Sequence, residues 1–512
     1  MSNLPADNNR KPSPRSRDKS MRRQFITGTA WMAGLRWGLK LLGFISTLIV
    51  ARLLAPHDYG LVSMAVMASA FIEVWLDFGV RQALIHNQEA TREDYDTAWS
   101  LRIIQGACIA LVLVAGSGAI AEFFNEPRLP VLLWLVAGGI ILTSLGNIGI
   151  VNFQKEMDFR REFMLEISSK LISAIVTISL AIWLRNYWAL ALGLFAKQLS
   201  YFVLSYALHS YRPRWSLAKF RELWSFSQWM LVSNVGTQFA GRSDQFIVGK
   251  LAAANGLGIY TVALELSQMA TNELANPIAK TLLPMMSQVK HDPKMLLNIF
   301  LKVMGSINTL TIPAGIGLAL VAKPFILAIL GEKWLEAVPY VQIFAIYGLV
   351  SLAFSGSNTV FIATGRVRLL SGLLWLEGAF LIVLSLIGFA WQGMLGIAFA
   401  RLATALLYAV IVYFSLAKHI HLTSSGIFLQ FWRPLLASGA MASMLWVIPV
   451  DTLGTPFLVL TCSILLGGMS YAITAYILWR LAGRPDGLEQ IASTSIKHLY
   501  NSARLRMRAH KD

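Results

Sequence analysis

Long apolar segments restrict what this chain can fold into more than any other feature of its sequence. About 20 apolar residues are needed to cross the hydrocarbon core of a bilayer as a helix. Because 56% of the 512 residues are hydrophobic and only 14% are charged, a water-soluble fold could not cover its core with polar side chains. We therefore expect an all-α, polytopic membrane protein. Hydrophobicity predicts fourteen transmembrane helices, at residues 28–52, 59–80, 98–121, 130–152, 163–184, 187–208, 228–250, 257–283, 296–321, 335–362, 369–390, 393–416, 431–449 and 455–479.

A helical hairpin is repeated in the two halves of the chain. Residues 49–65, IVARLLAPHDYGLVSMA, return 198 positions later as residues 247–263, IVGKLAAANGLGIYTVA. Six of the 17 positions are identical, including Gly60 and Gly258. Each copy links two predicted helices, and the copies are six helices apart, so the halves are parallel repeats related by an axis along the membrane normal. The sequence thus predicts two six-helix lobes followed by two additional C-terminal helices.

Lysine and arginine are concentrated on one side of the predicted helices. The two tails and alternate loops contain 28 cationic residues, whereas the opposite loops contain six. Under the positive-inside rule, this places both termini in the cytoplasm and supports an even number of helices. The same rule accounts for the net charge of +17 without a nucleic-acid partner. The two cysteines lie far apart in apolar segments, so we expect no disulfide and no metal framework.

The sequence divides into six parts. We expect a disordered basic tail at 1–25, an N-terminal lobe at 26–210, an amphipathic cytoplasmic linker at 211–227, a C-terminal lobe at 228–418, two extra helices at 419–482 and a second basic tail at 483–512. Apolar residues such as Trp215 and Trp224 alternate with basic residues in the linker, which favours a position at the membrane surface. A solvated linker is the alternative.

Short phrases spread over most of the chain carry a family resemblance. They are Gly28-Thr-Ala-Trp31, Ala51-Arg-Leu-Leu-Ala-Pro-His-Asp-Tyr-Gly60, Asp77-Phe-Gly79, Gln154-Lys-Glu-Met-Asp-Phe159, Arg212-Pro-Arg-Trp215, Asp244-Gln-Phe-Ile-Val-Gly249, Pro313-Ala-Gly315, Gly331-Glu-Lys-Trp334 and Gly365-Arg366. These phrases run in the same order as in a known family, from about residue 24 to residue 370. The chain therefore resembles the Wzx-type oligosaccharide flippases of the multidrug/oligosaccharidyl-lipid/polysaccharide exporter superfamily.

The resemblance implies a fold and a function. The fold has two MATE-like lobes around a central cavity. The implied function is alternating-access transport of an undecaprenyl-diphosphate-linked oligosaccharide across the bacterial inner membrane, for the assembly of exopolysaccharide, capsule or O-antigen in lipopolysaccharide. The implied partners are the lipid-linked oligosaccharide, membrane lipids, a polysaccharide polymerase and other assembly proteins.

Charged residues inside the predicted helices are the candidates for a functional site. The sequence contains no Walker A motif and no nucleophile elbow, so we expect no enzyme activity, no catalytic residue and no cofactor. A charge within the bilayer is costly and normally faces the bundle interior or a partner. The candidate ion-coupling residues are Glu73, Asp77, Glu265, Glu273 and Glu377, of which Glu273 and Glu377 are candidate proton or sodium sites.

The repeated hairpins contain one group of candidates. At 1.5 Å per residue, the cations that precede each turn lie at depths similar to those of the acids that follow it. Salt bridges within each hairpin therefore rank above ligand binding, although a paired cation can still line a cavity. These residues are Arg36, Lys40, Glu73 and Asp77 in the first hairpin, and Arg242 and Glu265 in the second.

Lys197 and Arg401 form a second group, at equivalent positions of predicted helices 6 and 12. The adjacent hairpin partner has no acid at the matching depth, and Glu377 is offset from Arg401 by roughly 9 Å along the axis. Two unpaired cations, one per lobe, would suit a lipid diphosphate or an anionic glycan. Alternatively, each cation meets an acid on a non-adjacent helix or extends to the membrane surface.

Two other functions are open at this point. A drug or cation antiporter of the same superfamily would favour an acidic cavity and no helices beyond the two lobes. A membrane-bound polysaccharide polymerase or ligase would favour a large outer loop with catalytic residues, whereas the predicted outer loops are short.

Overall fold

A computed structural model describes most of the chain, namely residues 45–76, 84–85, 89–156, 158–289, 292–447 and 454–485, with positions 38, 42, 43 and 490. Arg36, Lys40 and Asp77 therefore lie outside the described residues, as does the side chain of Glu273. The predictions made for these four residues stay predictions.

The regular elements in these ranges are all helical, which confirms the predicted all-α class. In the first half, residues 45–53 are helical, followed by α1 (Pro56–Leu76), α2 (Arg92–Ala115), α3 (Ser117–Phe124), α4 (Leu129–Leu145), α5 (Val151–Lys155), α6 (Phe159–Leu184) and α7 (Trp188–Leu208). The second half contains α8 (Phe220–Leu251), α9 (Ala253–Gln288), α10 (Pro293–Leu320), α11 (Ala322–Ile329), α12 (Val338–Leu352), α13 (Ser357–Ala363), α14 (Val367–Ile420), α15 (Ser424–Val447) and α16 (Pro456–Leu481).

Many of these helices can span a membrane. Within the described ranges, eight helical segments are long and apolar enough to do so, and a bent pair (Leu129–Leu145 with Ile148–Lys155) gives a ninth. The 54-residue helix α14 is broken at Gln392 and Gly393, where Gly393 has a φ of 59°. It therefore contains two of the predicted transmembrane helices, which meet at a sharp turn. The polytopic architecture follows.

Aspartates determine where several helices begin. Asp58, in the first turn of α1, accepts a hydrogen bond from the amide of Ala55 at 3.1 Å. Asp292 precedes α10 and accepts from the amides of Lys294 and Met295. Such caps satisfy amide groups that have no partner within the helix and place negative charge at its positive end.

The chain forms two compact units. One comprises Met1–Leu53, Trp75–Gly118 and Pro130–Leu231, and the other comprises Leu54–Val74, Ala119–Leu129 and Val232–Asp512. In the first unit, α6 and α7 are joined by a short turn, and the Ser173 hydroxyl donates to the carbonyl of Gly193 at 2.8 Å. In the second unit, Phe300, Met304 and Phe361 belong to a core cluster of buried residues from α9, α10, α13 and α14. The predicted domain boundaries stay a prediction.

The segment before α8 is fixed to the first unit. It is irregular from His209 to Leu217 and becomes helical at Phe220. Asp96, a buried residue of α2, accepts hydrogen bonds from the Tyr211 hydroxyl at 2.7 Å and from the Arg214 amide at 2.8 Å. Burial, followed by the contact with Asp96, raises the pKa of the Tyr211 hydroxyl. The N-terminal part of the predicted linker is therefore held by side chains of α2.

The two copies of the repeated hairpin meet inside the second unit. A Cβ atom placed on Gly60 would lie 1.6 Å from the carbonyl oxygen of Ala254, and one on Gly258 would lie 1.9 Å from that of Pro56. These contacts are reciprocal, because Gly258 is the repeat equivalent of Gly60 and Ala254 that of Pro56, each 198 positions later. Helices α1 and α9 thus cross with their backbones in contact, which requires glycine at both positions.

We expect Gly60→Ala and Gly258→Ala to destabilise the protein, because each added methyl group would push the two backbones apart. Overpacking of this kind costs about 1–3 kcal/mol. Gly372→Ala is the matched control, since it lies within α14 and no atom lies within 4 Å of its added Cβ. Thermal unfolding of the purified protein in detergent checks this. Equal unfolding midpoints for all three variants would contradict the crossing.

Candidate functional site

Arg401 and Asp244 form a buried ion pair in the second unit. Their exposed fractions are 4% and 0%. Nη1 of Arg401 donates to Oδ2 of Asp244, and the Tyr260 hydroxyl donates to the same oxygen. Because removal of two charges from water is costly, such a pair needs close geometry and further hydrogen bonds. The pair links α8 to the second arm of α14.

Further contacts complete the surroundings of the Arg401 guanidinium. Nη2 donates to the carbonyl of Gly241 at 3.2 Å and to the hydroxyl of Tyr347 at 3.3 Å. The guanidinium carbon lies 4.7 Å from the centroid of the Tyr347 ring, a distance typical of a cation–π interaction. With Tyr260 on α9 and Tyr347 on α12, the cluster connects four helices.

Of the alternatives that the sequence left open for Arg401, the structure shows a contact with an acid on a non-adjacent helix. The sequence prediction compared Arg401 with acids of the adjacent helix, whereas Asp244 precedes Arg401 by 157 positions. The sequence did contain a signal, because Asp244 is the one acid in the predicted helix 228–250, and an acid at that depth needs a partner. Whether Arg401 also contacts a substrate stays a prediction.

Lys197, the repeat equivalent of Arg401, differs from it. Lys197 is half-buried on α7 in the first unit. Among the side chains that the structure describes, it has no ion-pair partner. The two cations therefore differ: Arg401 is neutralised by Asp244, whereas Lys197 has no ion-pair partner among the described side chains.

Arg242 is exposed on α8 beside a small aromatic groove. Met67, Phe71, Phe239 and Phe246 line this groove. The ring centroid of Phe71 lies 5.4 Å from that of Phe239 and 5.0 Å from that of Phe246. A cation at the edge of an apolar groove can hold the charged end of an amphipathic ligand while the groove contacts its apolar part.

The predicted salt bridge between Arg242 and Glu265 is absent from the described ion pairs. Both side chains are exposed. The depth estimate considered position along the helices and ignored rotation about their axes. Asp244 faces Tyr260 of α9, and residues two positions apart on a helix point in different directions. Arg242 is therefore turned away from α9.

A cavity of about 270 Å³, lined by both polar and apolar side chains, lies at the break between α12 and α13. The break spans residues 353–356, and Gly356 has a φ of 98°. Glu377 and Tyr408 of α14 contribute to the lining, together with Ser351, Ser355, Ser357 and Asn358. In the described part of the chain, the half-buried Glu377 carboxylate has no ion-pair or hydrogen-bond partner.

The other described acids of the predicted site lie apart from this cavity. Glu73 is half-buried on α1, and Glu265 is exposed on α9. No group of three or more His, Cys, Asp or Glu side chains that could hold a metal ion occurs within the ranges described above.

These features define a class of protein: a polytopic helical membrane protein with an internal repeat and charged residues buried among its spans. Residues 49–339 match the family described as "Polysaccharide biosynthesis protein". The match covers more than half of the chain, so the protein belongs to this family of polysaccharide biosynthesis proteins.

Comparisons with individual proteins agree with this membership. The chain is 24% identical to the teichuronic acid biosynthesis protein TuaB of Bacillus subtilis, over 85% of this chain and 90% of TuaB. It is 22% identical to the lipopolysaccharide biosynthesis protein WzxC of Escherichia coli, over 82% of this chain and 86% of WzxC. The lipid II flippase MurJ, in an inward closed conformation, superimposes with a TM-score of 0.73 at 15% identity, over 90% of this chain and 100% of MurJ. The predicted membership of a polysaccharide biosynthesis family and the predicted helical fold are confirmed.

We expect Arg401→Ala and Asp244→Ala to destabilise the protein strongly, because each leaves an uncompensated charge in the interior. Loss of one partner of a buried pair costs about 3–5 kcal/mol. Arg242→Ala, an exposed cation two residues before Asp244, is the control and should unfold like the wild type. Thermal unfolding in detergent checks this, and wild-type midpoints for Arg401→Ala and Asp244→Ala would show that the pair contributes little to stability.

Proposed function

We propose that this protein is a flippase that moves an undecaprenyl-diphosphate-linked oligosaccharide between the leaflets of the bacterial inner membrane. The observation that carries the proposal is the coincidence of family and fold. The sequence belongs to a polysaccharide biosynthesis family, and the chain has, over 90% of its length, the fold of a lipid II flippase. WzxC, whose name refers to lipopolysaccharide biosynthesis, supports the same substrate class.

The proposed transport direction is from the cytoplasmic to the periplasmic leaflet, in assembly of exopolysaccharide, capsule or O-antigen. Both termini would lie in the cytoplasm, which the asymmetric distribution of Lys and Arg supports. The glycan would be passed to a polysaccharide polymerase and other assembly proteins. Translocation breaks no covalent bond, so the proposed protein is a transporter and not an enzyme.

Lys197 of the first unit and Arg242 of the second unit are two separate candidates, among the described cations, for contact with the diphosphate of such a substrate. Lys197 has no ion-pair partner within the described ranges, and Arg242 is exposed. A phosphate oxygen forms strong, charge-assisted hydrogen bonds with both side-chain types. The aromatic groove beside Arg242 would contact the first part of the polyprenyl chain. Arg36 and Lys40 are further candidates from the sequence.

The alternatives of the sequence analysis are less well supported. A drug or cation antiporter of the same superfamily shares the fold, so the fold alone does not separate the two functions. The family match and the names of the relatives favour a glycan. A polymerase or ligase would need catalytic side chains on an outer loop, and the family and fold comparisons offer no support for them.

Purified protein in liposomes should accelerate the transfer of a fluorescent undecaprenyl-diphosphate-linked oligosaccharide between leaflets. The transfer is measured as the fraction of glycan accessible to an added glycosidase. Protein-free liposomes and liposomes with heat-denatured protein are the controls. Transfer at the rate of the protein-free liposomes would contradict the proposed function.

Lys197→Gln and Arg242→Gln should each slow this transfer by about 10- to 100-fold, because a hydrogen bond to a charged group contributes about 1.5–3 kcal/mol. Lys294→Gln removes an exposed cation at the start of α10 and is the matched control. Rates are compared at equal amounts of folded protein. Wild-type rates for both variants would show that the diphosphate binds elsewhere.

A further inference from the structure

The break between α12 and α13, in the second unit, is stabilised by a buried side chain. α12 ends at Leu352, and the freed carbonyl of Ala353 accepts a hydrogen bond from Nδ2 of Asn308 at 3.3 Å. Asn308 is fully buried on α10. Interrupted helices at membrane depth are tolerated where they line a cavity or are buried in protein. Here the interruption borders the cavity that Glu377 lines.

The Glu377 carboxylate has no ion-pair partner among the described residues. Arg401, in the second arm of the same helix, is already engaged by Asp244 of α8. α8 packs against the first arm of α14, where Trp375 stacks on Phe239 with ring centroids 5.7 Å apart. The other cation of this part of α8, Arg242, is exposed.

The remaining elements that pack against the cavity supply hydroxyl and amide groups. Tyr347 of α12 contacts Arg401, and the cavity lining from α12, α13 and the break contains serines and one asparagine but no charged side chain. Arg366 lies at the start of α14, outside this lining. The Tyr408 hydroxyl is buried and has no hydrogen-bond partner in the described part of the chain.

An ionised carboxylate at this depth without a partner is energetically unfavourable, and a proton removes the cost by neutralising it. We propose that Glu377 is an exchangeable proton-binding site whose occupancy is coupled to glycan transfer. This inference rests on the proposed flippase function. The proton forms a bond to a carboxylate oxygen of Glu377 and returns to water, and no bond of the substrate is formed or broken.

The cavity suits a proton better than a metal ion. Glu377 is its single carboxylate, and the serine, tyrosine and asparagine groups can both donate and accept hydrogen bonds, as a protonated carboxyl requires. A hard metal cation prefers several oxygen ligands with more than one negative charge.

The Arg401–Asp244 pair offers a route from proton binding to movement. When Glu377 is ionised, it attracts Arg401 in competition with Asp244. When Glu377 is neutral, Arg401 interacts with Asp244 alone. Because the pair links α14 to α8, the proton changes how firmly α8 is held. α8 also carries Arg242, the residue proposed to meet the diphosphate.

The test measures the steady-state distribution of the fluorescent lipid-linked glycan between leaflets, in liposomes with an imposed pH gradient and potassium as the only alkali cation. A gradient of one pH unit can change this distribution by at most about tenfold for each coupled proton. We expect the wild type and the exposed-acid control Glu336→Gln to respond to the gradient. Glu377→Gln should equilibrate the glycan evenly with or without a gradient.

A gradient response in Glu377→Gln equal to that of the wild type would overturn the proposal. So would a wild-type distribution that ignores pH and follows a sodium gradient, since the site would then bind sodium. Tyr408→Phe keeps the carboxyl of Glu377 and removes the neighbouring hydroxyl. The glycan distribution in this variant should therefore still respond to the pH gradient, but the pH at which half of the response is reached should shift. Suppose that Glu377→Gln loses the response but that Tyr408→Phe responds with the same pH midpoint as the wild type. The Tyr408 hydroxyl would then not be the partner of the Glu377 carboxyl, and the assignment of Tyr408 to the site would be overturned.

Infrared difference spectra of the purified protein separate this proposal from the proposed function. On a change of pH, a carbonyl band of a protonated carboxyl should appear in the wild type and in Glu336→Gln, and should be missing in Glu377→Gln. An unaltered band in Glu377→Gln would overturn the proton site. Wild-type protein that shows the band but moves no glycan would contradict the flippase function and leave the proton site supported.

Discussion

The ion pair between Arg401 and Asp244 connects the helices of the second unit that surround the candidate site. Neither charge could lie in the membrane interior alone, because an isolated ion there is strongly disfavoured. Together with Tyr260 and Tyr347, they connect α8, α9, α12 and α14. This network neutralises the guanidinium of Arg401, and the Glu377 carboxylate has no ion-pair partner among the described residues.

The internal repeat explains both the symmetry and the asymmetry of the fold. The crossing of α1 and α9 is symmetric, because Gly60 of α1 contacts the backbone of α9 and Gly258 of α9 contacts the backbone of α1. Lys197 and Arg401 break this symmetry. The two residues occupy equivalent predicted positions, but within the described ranges an ion pair with an aspartate is found for Arg401 and none for Lys197.

The class of fold could be predicted from sequence, because apolar length and loop charge follow from the bilayer itself. The repeat predicted the parallel halves, and the glycines within it are those at the crossing. Individual contacts were harder to predict. Depth along a helix placed Arg242 opposite Glu265, but rotation about the helix axis turned Arg242 away. Asp244 was overlooked as a partner because its helix is distant in sequence. The cavity at Glu377 depends on a helix break at Gly356, which apolar length does not reveal.

Simultaneous neutralisation of the ion pair, as Asp244→Asn with Arg401→Gln, is the most direct test of whether Arg401 serves the structure or the substrate. Replacement of both members of a buried pair is often tolerated, since no unpaired charge remains. We expect the double variant to unfold near the wild-type temperature and to retain transfer of the lipid-linked glycan. A double variant that is as stable as the wild type but has lost transfer would show that Arg401 acts on the substrate itself, and would contradict the division between structural and ligand-binding cations.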